Sequence, residues 1–388
     1  MKKAIMIGAG NIGRGFIGML LEKSGYHVVF ADVNMAVVDD INKRKEYTVH
    51  LVDTVSVDTT CTNISAISSL SEQMITEIAD PDTELICTSV GLTALSKVAP
   101  AIAKGLSLRS SKEITGYLNI IACENAIRGT SQLKKFICEY LDTTSIDYID
   151  KYVGFPDAAV DRIIPPNKTN LPAEVYVERY HEWDVEKCGF KGILPVVEGM
   201  EIVDDLTAYL ERKLFTLNGP NAVTAYYAYL KGIETINEAM EDKEIFNVVY
   251  GMMVECGEVL VKRHGFTPES MLSYRTSLVE RFKNPYVVDD AIRVAREPKR
   301  KLSPDDRIIA PMLHATEYGI QTPHYYTGVA VALLYNNEDD TQSIEIQNLI
   351  KDFGVRKCLE IISNVPIDST ASIEIEKEYI RLKSKYHL

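Results

Sequence analysis

The chain has 388 residues, 46% hydrophobic and 25% charged, with a formal net charge of −13. That length exceeds one ordinary core, so two domains are expected, and the composition is that of a soluble globular protein. The acidic balance argues against nucleic acid, which needs a broad basic surface, and no apolar run reaches the roughly 18 residues that span a bilayer. Taken from the start, Met1-Lys2-Lys3-Ala4-Ile5-Met6-Ile7-Gly8 could open a signal peptide. Its apolar stretch runs into glycines without a small-residue cleavage site, and it reads instead as a first strand. Residues 4–7, 28–31, 85–89 and 118–122 read as buried strands, with helical patterns between several of them. This alternation predicts an α/β fold, a doubly wound, mostly parallel sheet of Rossmann type. Residues 47–60 are rich in β-branched side chains and are expected to form a hairpin inserted in that sheet; 173–183 is a further expected strand. Beyond about residue 203, the segments 205–215, 223–241 and 245–264 carry helical periodicity, and 372–386 reads as a charged amphipathic helix. The expected division is an N-terminal domain over 1–195 and a mostly α-helical domain over 196–388.

The seven cysteines, at 61, 87, 123, 138, 188, 256 and 358, are scattered, with no CxxC pair or Cys/His cluster. That spacing fits neither a disulfide framework nor a structural zinc site, so no metal is expected, and the expected location is a reducing cytoplasm.

Between the first strand and first helix lies Gly8-Ala9-Gly10-Asn11-Ile12-Gly13-Arg14-Gly15. In such a sequence Gly8 permits the tight turn, Gly10 lets a pyrophosphate approach the backbone, and Gly13 lets helix and strand pack closely. The helix N-terminus then offers free N–H groups and its positive dipole end to phosphates. The second strand ends in Asp32, where a carboxylate can bind the adenosine ribose diol and repel a 2′-phosphate. NAD is therefore expected rather than NADP, with FAD the competing cofactor. Thr88 and Val90, at the end of a later strand, would lie along the same carboxyl edge.

In the second half, Lys213, Asn218 and Asn221 would fall within an arc of about 140° on a continuous α-helix. A desolvated lysine can act as a general base on an alcohol, and asparagine amides can polarise the carbonyl that forms. Gly219-Pro220 is expected to break the helix there. Read alone, the segment is better described as a surface lysine beside turn or capping asparagines. Arg293, Arg296, Lys299, Arg300, Lys301 and Arg307 are six cations within fifteen residues. Such a cluster suits a phosphate or carboxylate, although a solvated, salt-bridged face is the ordinary reading of most members.

With these residues together, the chain resembles the polyol-specific long-chain dehydrogenase/reductases of the mannitol dehydrogenase family, over essentially its whole length. The resemblance rests on Gly8 to Gly18, on Phe30-Ala31-Asp32-Val33-Asn34 and on Asn119-Ile120-Ile121-Ala122-Cys123-Glu124-Asn125. It continues in Val153-Gly154-Phe155, Ala159-Val160-Asp161-Arg162-Ile163-Ile164-Pro165-Pro166, Arg212-Lys213-Leu214-Phe215-Thr216-Leu217-Asn218 and Arg300-Lys301-Leu302. It implies metal-free hydride transfer between NAD(H) and a polyol/ketose pair, with mannitol 1-phosphate and fructose 6-phosphate the expected pair. It implies Lys213 as general base, Asn125 and Asn218 as stabilisers of the developing alkoxide, and Asp161 as a carboxylate near the lysine. Arg293 and Lys301 match substrate-contacting positions, and Arg300 is a reasonable phosphate contact. One departure stands out: where the family has Asn-Thr-Gly-His, this chain reads Asn218-Gly219-Pro220-Asn221. Asn221 can still hydrogen-bond a hydroxyl but cannot carry charge. The alternatives are a sibling acting on a hexuronate/aldonate pair and a silent NAD-binding sensor. No nucleic-acid or membrane partner is expected, and the chain is expected to be a monomer or weak dimer.

Overall fold

The computed structural model describes residues 2–52, 57–124, 126, 128–164 and 171–388. Asn125, Pro165, Pro166 and the 53–56 tip of the expected hairpin lie outside them. The chain divides into two compact units, Met1–Tyr209 and Leu210–Leu388, whereas the sequence places the change at 195/196.

The strands of the first unit are β1 (Lys3–Ile7), β2 (His27–Asp32), β3 (Tyr47–Val52), β4 (Val57–Cys61), β5 (Ile64–Ser68), β6 (Thr83–Thr88), β7 (Leu118–Ala122), β8 (Val153–Gly154), β9 (Ala158–Asp161), β10 (Val175–Glu178), β11 (Glu182–Glu186) and β12 (Glu201–Val203). Six of them form one sheet in the order β5-β2-β1-β6-β7-β8, every pairing parallel. Parallel strands covered by helices must be apolar on both faces, and this explains their continuous apolar runs. In β1, Ile5 and Ile7 enter one core with Val29, Ile86 and Ile120, while Ala4 and Met6 enter the other with Val28, Phe30 and Leu85. The chain runs outward from β1 to β2 and β5, then returns to β6 on the other side. The strand order therefore switches between β1 and β6, and the crevice for a ligand lies at their carboxyl ends.

The expected hairpin forms, with β3 and β4 antiparallel, but it is not inserted in the main sheet. It belongs to a separate three-stranded sheet in which β10 runs parallel to β3. The reason is one-sided burial: Tyr47 and Val49 are buried while Thr48 and His50 are half-buried, a pattern that cannot fill a sheet covered on both faces. Its partner β10 packs on the first helix, where a side chain at Gly15 would collide with Val175 and Val177. The expected strand over 173–183 is two strands, β10 and β11, in different sheets; β11 lies between β9 and β12.

No strand follows Val203 among the described residues. The second unit is helical, including Lys243–His264, Pro268–Phe282, Ile309–Glu317, Pro323–Leu334, Thr341–Phe353, Val355–Ser363 and Thr370–Lys385. The expected break at Gly219-Pro220 does not occur. Leu206–Arg212 runs into a π-helical turn, Lys213–Asn218, and on into the α-helix Gly219–Lys231. Pro220 sits in the first turn of that α-helix, and left-handed Gly232 (φ +67°) ends it.

Candidate functional site

In the first unit the Gly8–Gly13 loop is built as its composition suggests. Gly8 has φ +93°, and a Cβ there would lie 2.7 Å from the Ser89 carbonyl oxygen. A Cβ on Gly13 would collide with the Gly8 carbonyl, whereas one on Gly10 would meet nothing within 4 Å. Gly13 thus serves packing inside the protein, and Gly10 leaves open space. The first helical bond of the following helix is Arg14 N–H to Gly10 O at 3.0 Å, so the amides of Asn11, Ile12 and Gly13 precede it. Asp32 accepts from Ala9 N–H at 2.6 Å through one oxygen and from Asn34 N–H at 2.8 Å through the other. Its carboxylate is thereby fixed at the rim of a cleft of about 740 Å³. Gly8, Gly10, Asp32 and Val90 line this cleft, with Met74, Ile75, Val98 and Ala101 giving an apolar wall suited to an adenine.

Ala9, Asn11, Ile12, Gly13 and Thr88 are not in that lining. Thr88 is fully buried, and its hydroxyl donates to the Glu124 carboxylate at 2.9 Å. Glu124 also accepts from Val90 N–H at 3.0 Å, and burial raises its pKa. Arg14 is buried too: its guanidinium donates to the Ala173 carbonyl at 2.8 Å and to the Ala9 carbonyl, pinning the glycine loop to the start of β10's segment. Burial lowers its pKa. Sequence reasoning gave neither residue a role. The available signals were a carboxylate directly after an all-apolar strand and an arginine inside a glycine-rich turn.

In the second unit, Lys213 opens the π turn and Asn218 closes it; both are half-buried. Residues five apart diverge by about 140° on an α-helix. A π turn holds one more residue, as Gly219 N–H to Leu214 O shows, and so narrows that divergence, although Lys213 is not in the lining of the cleft described next. Asn218 and Asn221 line a cleft of about 450 Å³ together with Arg293, Arg296, Arg300, Lys301 and Arg307. Five of the six clustered cations thus face one cavity. Lys299 does not: it pairs with Glu345 at 2.7 Å. Gly219 permits this approach, since a Cβ there would collide with the Arg307 carbonyl.

The cleft also contains Asp289 and Glu297. Arg293 pairs with Asp289, Arg300 with Glu297 at 2.8 Å and Asp306 at 3.2 Å, and Arg307 with Asp306 at 2.7 Å. Arg296 donates to the Arg293 carbonyl at 3.2 Å and has no carboxylate partner among the described residues. Lys301 is 6% exposed, and its ammonium donates to the carbonyls of Val294 and Arg296. Burial, then Arg307 and Arg300, bring its pKa down to about 7. The Asn221 side-chain oxygen is enclosed and has no donor. Asp161 ends β9 in the first unit, half-buried, opposite Glu182 on β11. No cluster of three or more metal-ligating side chains occurs among the described residues, and none of their helices is long and apolar enough to cross a membrane.

Together these features define a two-domain protein, with a Rossmann-type nucleotide-binding unit and a helical unit carrying a cationic cleft. The chain belongs to the mannitol dehydrogenase family: its Rossmann domain matches residues 2–199 and its C-terminal domain residues 205–375. That membership places it among the NAD-dependent polyol dehydrogenases. Among solved structures, it is similar to a D-sorbitol dehydrogenase in substrate-free form, with TM-score 0.80 and 17% identity over 100% of this chain and 93% of that one. It is also similar to Pseudomonas fluorescens mannitol 2-dehydrogenase, solved as a ternary complex with NAD and D-mannitol. There the TM-score is 0.69 and the identity 18%, covering 99% of this chain and 92% of that one.

Proposed function

We propose that this chain is a mannitol-1-phosphate 5-dehydrogenase, interconverting mannitol 1-phosphate and fructose 6-phosphate with NAD(H). The observation that carries the reading is the shared cavity of Asn218, Asn221 and five cations. A polyol alone needs hydroxyl partners; a cleft this cationic fits a polyol that carries an anionic group. On the first unit, Gly8, Gly10 and Asp32 fit a dinucleotide, and NAD when bound supplies the hydride acceptor. In the oxidation direction, Lys213 takes the proton of the hydroxyl at C5. Asn218 donates to the oxygen as negative charge develops on it, with Asn125 in the same role. The hydrogen on that carbon leaves as hydride, the C–O bond becomes a carbonyl, and reduction reverses each step. Asp161 takes the supporting carboxylate role that the family resemblance implies. Arg293, Arg296, Arg300 and Lys301 take the phosphate, and Asn221 accepts from a substrate hydroxyl where the family has histidine.

The test is NADH oxidation with fructose 6-phosphate, fructose and tagaturonate as separate acceptors. Turnover with fructose 6-phosphate and little with fructose is the expected result. Turnover with tagaturonate alone identifies a sugar-acid reductase, and NADH binding without turnover on any ketose identifies a sensor. Lys213→Ala is expected to abolish turnover while NADH affinity is nearly kept.

A further inference from the structure

The π turn from Lys213 to Asn218 is met by hydrogen-bonding groups from outside its own helix. Within it, Gly219 N–H reaches Leu214 O, a five-residue span. The next donor in that register would come from residue 220, but Pro220 has no N–H. The Phe215 carbonyl is therefore left without a partner from its own helix at a position that is 2% exposed. It accepts instead from the hydroxyl of Tyr325, 3.4 Å away on the helix Pro323–Leu334. Tyr325 is fully buried. A second tie is the 3.4 Å contact of the Thr216 hydroxyl with Cys256 on Lys243–His264. Tyr325 is fixed in turn by Glu255, which accepts from His324 N–H at 3.0 Å, His324 Nδ1 at 2.6 Å and Tyr325 N–H at 3.2 Å.

We propose that Tyr325 is a positioning residue for Lys213 and Asn218: its hydroxyl satisfies the carbonyl that Pro220 leaves free and so holds the turn in the π register. This rests on the reading of Lys213 as the base. Without that hydroxyl, the Phe215 carbonyl has one donor within reach, the N–H of Gly219 four residues on. Taking it closes the turn to an α register and removes one residue from it. Lys213 then turns about 100° relative to Asn218. The base and the amide no longer act on the same oxygen, although the fold on either side is unchanged.

The proposal is tested with Tyr325→Phe, Pro220→Ala and the double variant. Pro220→Ala returns an N–H in the π register to the Phe215 carbonyl, so it should make the tyrosine hydroxyl dispensable. In Tyr325→Phe, kcat is expected to fall on the order of a hundredfold, the cost of an ångström-scale misplacement, with KM and NADH affinity within about threefold. The primary deuterium isotope effect on kcat should rise. The double variant is expected to recover to within about threefold of Pro220→Ala alone. A crystal structure of Tyr325→Phe should show Gly219 N–H bonded to Phe215 O instead of Leu214 O. An unchanged π register in that structure overturns the proposal, as does a folded double variant that stays slow. Should Tyr325→Phe not fold alone, a double variant that folds and turns over supports the proposal. Lys213→Ala is assayed alongside: its full activity refutes the lysine as base, while the helix register of Tyr325→Phe still decides what the tyrosine does.

Discussion

Asn221 places a side-chain oxygen where neither solvent nor any described donor reaches it, on the wall of the cationic cleft. An enclosed acceptor without a donor costs about 1–3 kcal/mol, and a substrate hydroxyl would recover it once the amide turns its oxygen into the cleft that the residue lines. Asn221→Ala should therefore lower kcat/KM by roughly ten- to a hundredfold, at 1.4 kcal/mol per factor of ten, while thermal stability holds or rises. A marked drop in melting temperature with unchanged kinetics would show that the amide serves the fold and not the substrate. Lys301 gives the cleft a pH dependence of its own. Its pKa lies at about 7, so the side chain is charged below that pH and neutral above it. A phosphate, with its second ionisation near pH 6, is already dianionic there, so loss of the Lys301 charge weakens attraction to a fixed dianion. For fructose 6-phosphate, kcat/KM should fall roughly threefold or more as pH rises from 7 to 9. In Lys301→Met the value is expected to be lower at pH 7, with the step near that pH gone. An unaltered step in the variant assigns it to another group.

At the level of elements, the glycine loop separates Gly13, which serves packing, from Gly10, which leaves open space. Gly13→Ala forces a methyl onto the Gly8 carbonyl and should destabilise the first unit by about 1–3 kcal/mol. Gly10→Ala meets no protein atom, so melting should be unchanged while the NAD dissociation constant rises at least tenfold. Equal loss of stability in both variants would refute the assignment of Gly10 to the cofactor. This loop was legible in the sequence because strand, glycines, helix and Asp32 are contiguous, and the four apolar runs of the main sheet were legible for the same reason. The separate sheet of the hairpin was not, because β3 finds its partner β10 more than a hundred residues later, and local alternation says nothing about which sheet receives it. The π turn was hidden as well: apolar periodicity does not tell whether a helical bond closes over four residues or five. Pro220 was the one clue, and it was read as a break because a proline in a helix leaves a carbonyl unbonded. Tyr325, over a hundred residues away in sequence, removes that penalty. The cationic cluster could be counted in the sequence, but not sorted. Only packing shows that Arg307 faces the cleft and that Lys299 turns away to Glu345.

Across the whole molecule, a net charge of −13 opposes any anionic substrate, so binding depends on the local arrangement prevailing over the total. The cleft sets Arg293, Arg296, Arg300, Lys301 and Arg307 against Asp289 and Glu297, with Asp306 behind them. At 0.1 M ionic strength the screening length is about 10 Å, so charges spread over the protein surface contribute little at the cleft. Cations within contact distance are screened far less, and each contributes on the order of 1 kcal/mol even at the dielectric constant of water. Raising salt from 0.1 M to 0.5 M should thus weaken the local attraction with little further relief of the distant repulsion. The KM for fructose 6-phosphate is expected to rise severalfold over that range. Of the four arginines in the cleft, Arg296 has no carboxylate partner among the described residues, so its charge is the least neutralised of the four. Arg296→Gln should therefore raise KM at 0.1 M and flatten its dependence on salt. A KM that stays constant or falls with salt would mean that the anionic group of the substrate is not held in this cleft, and the phosphate reading of the site would fail with it.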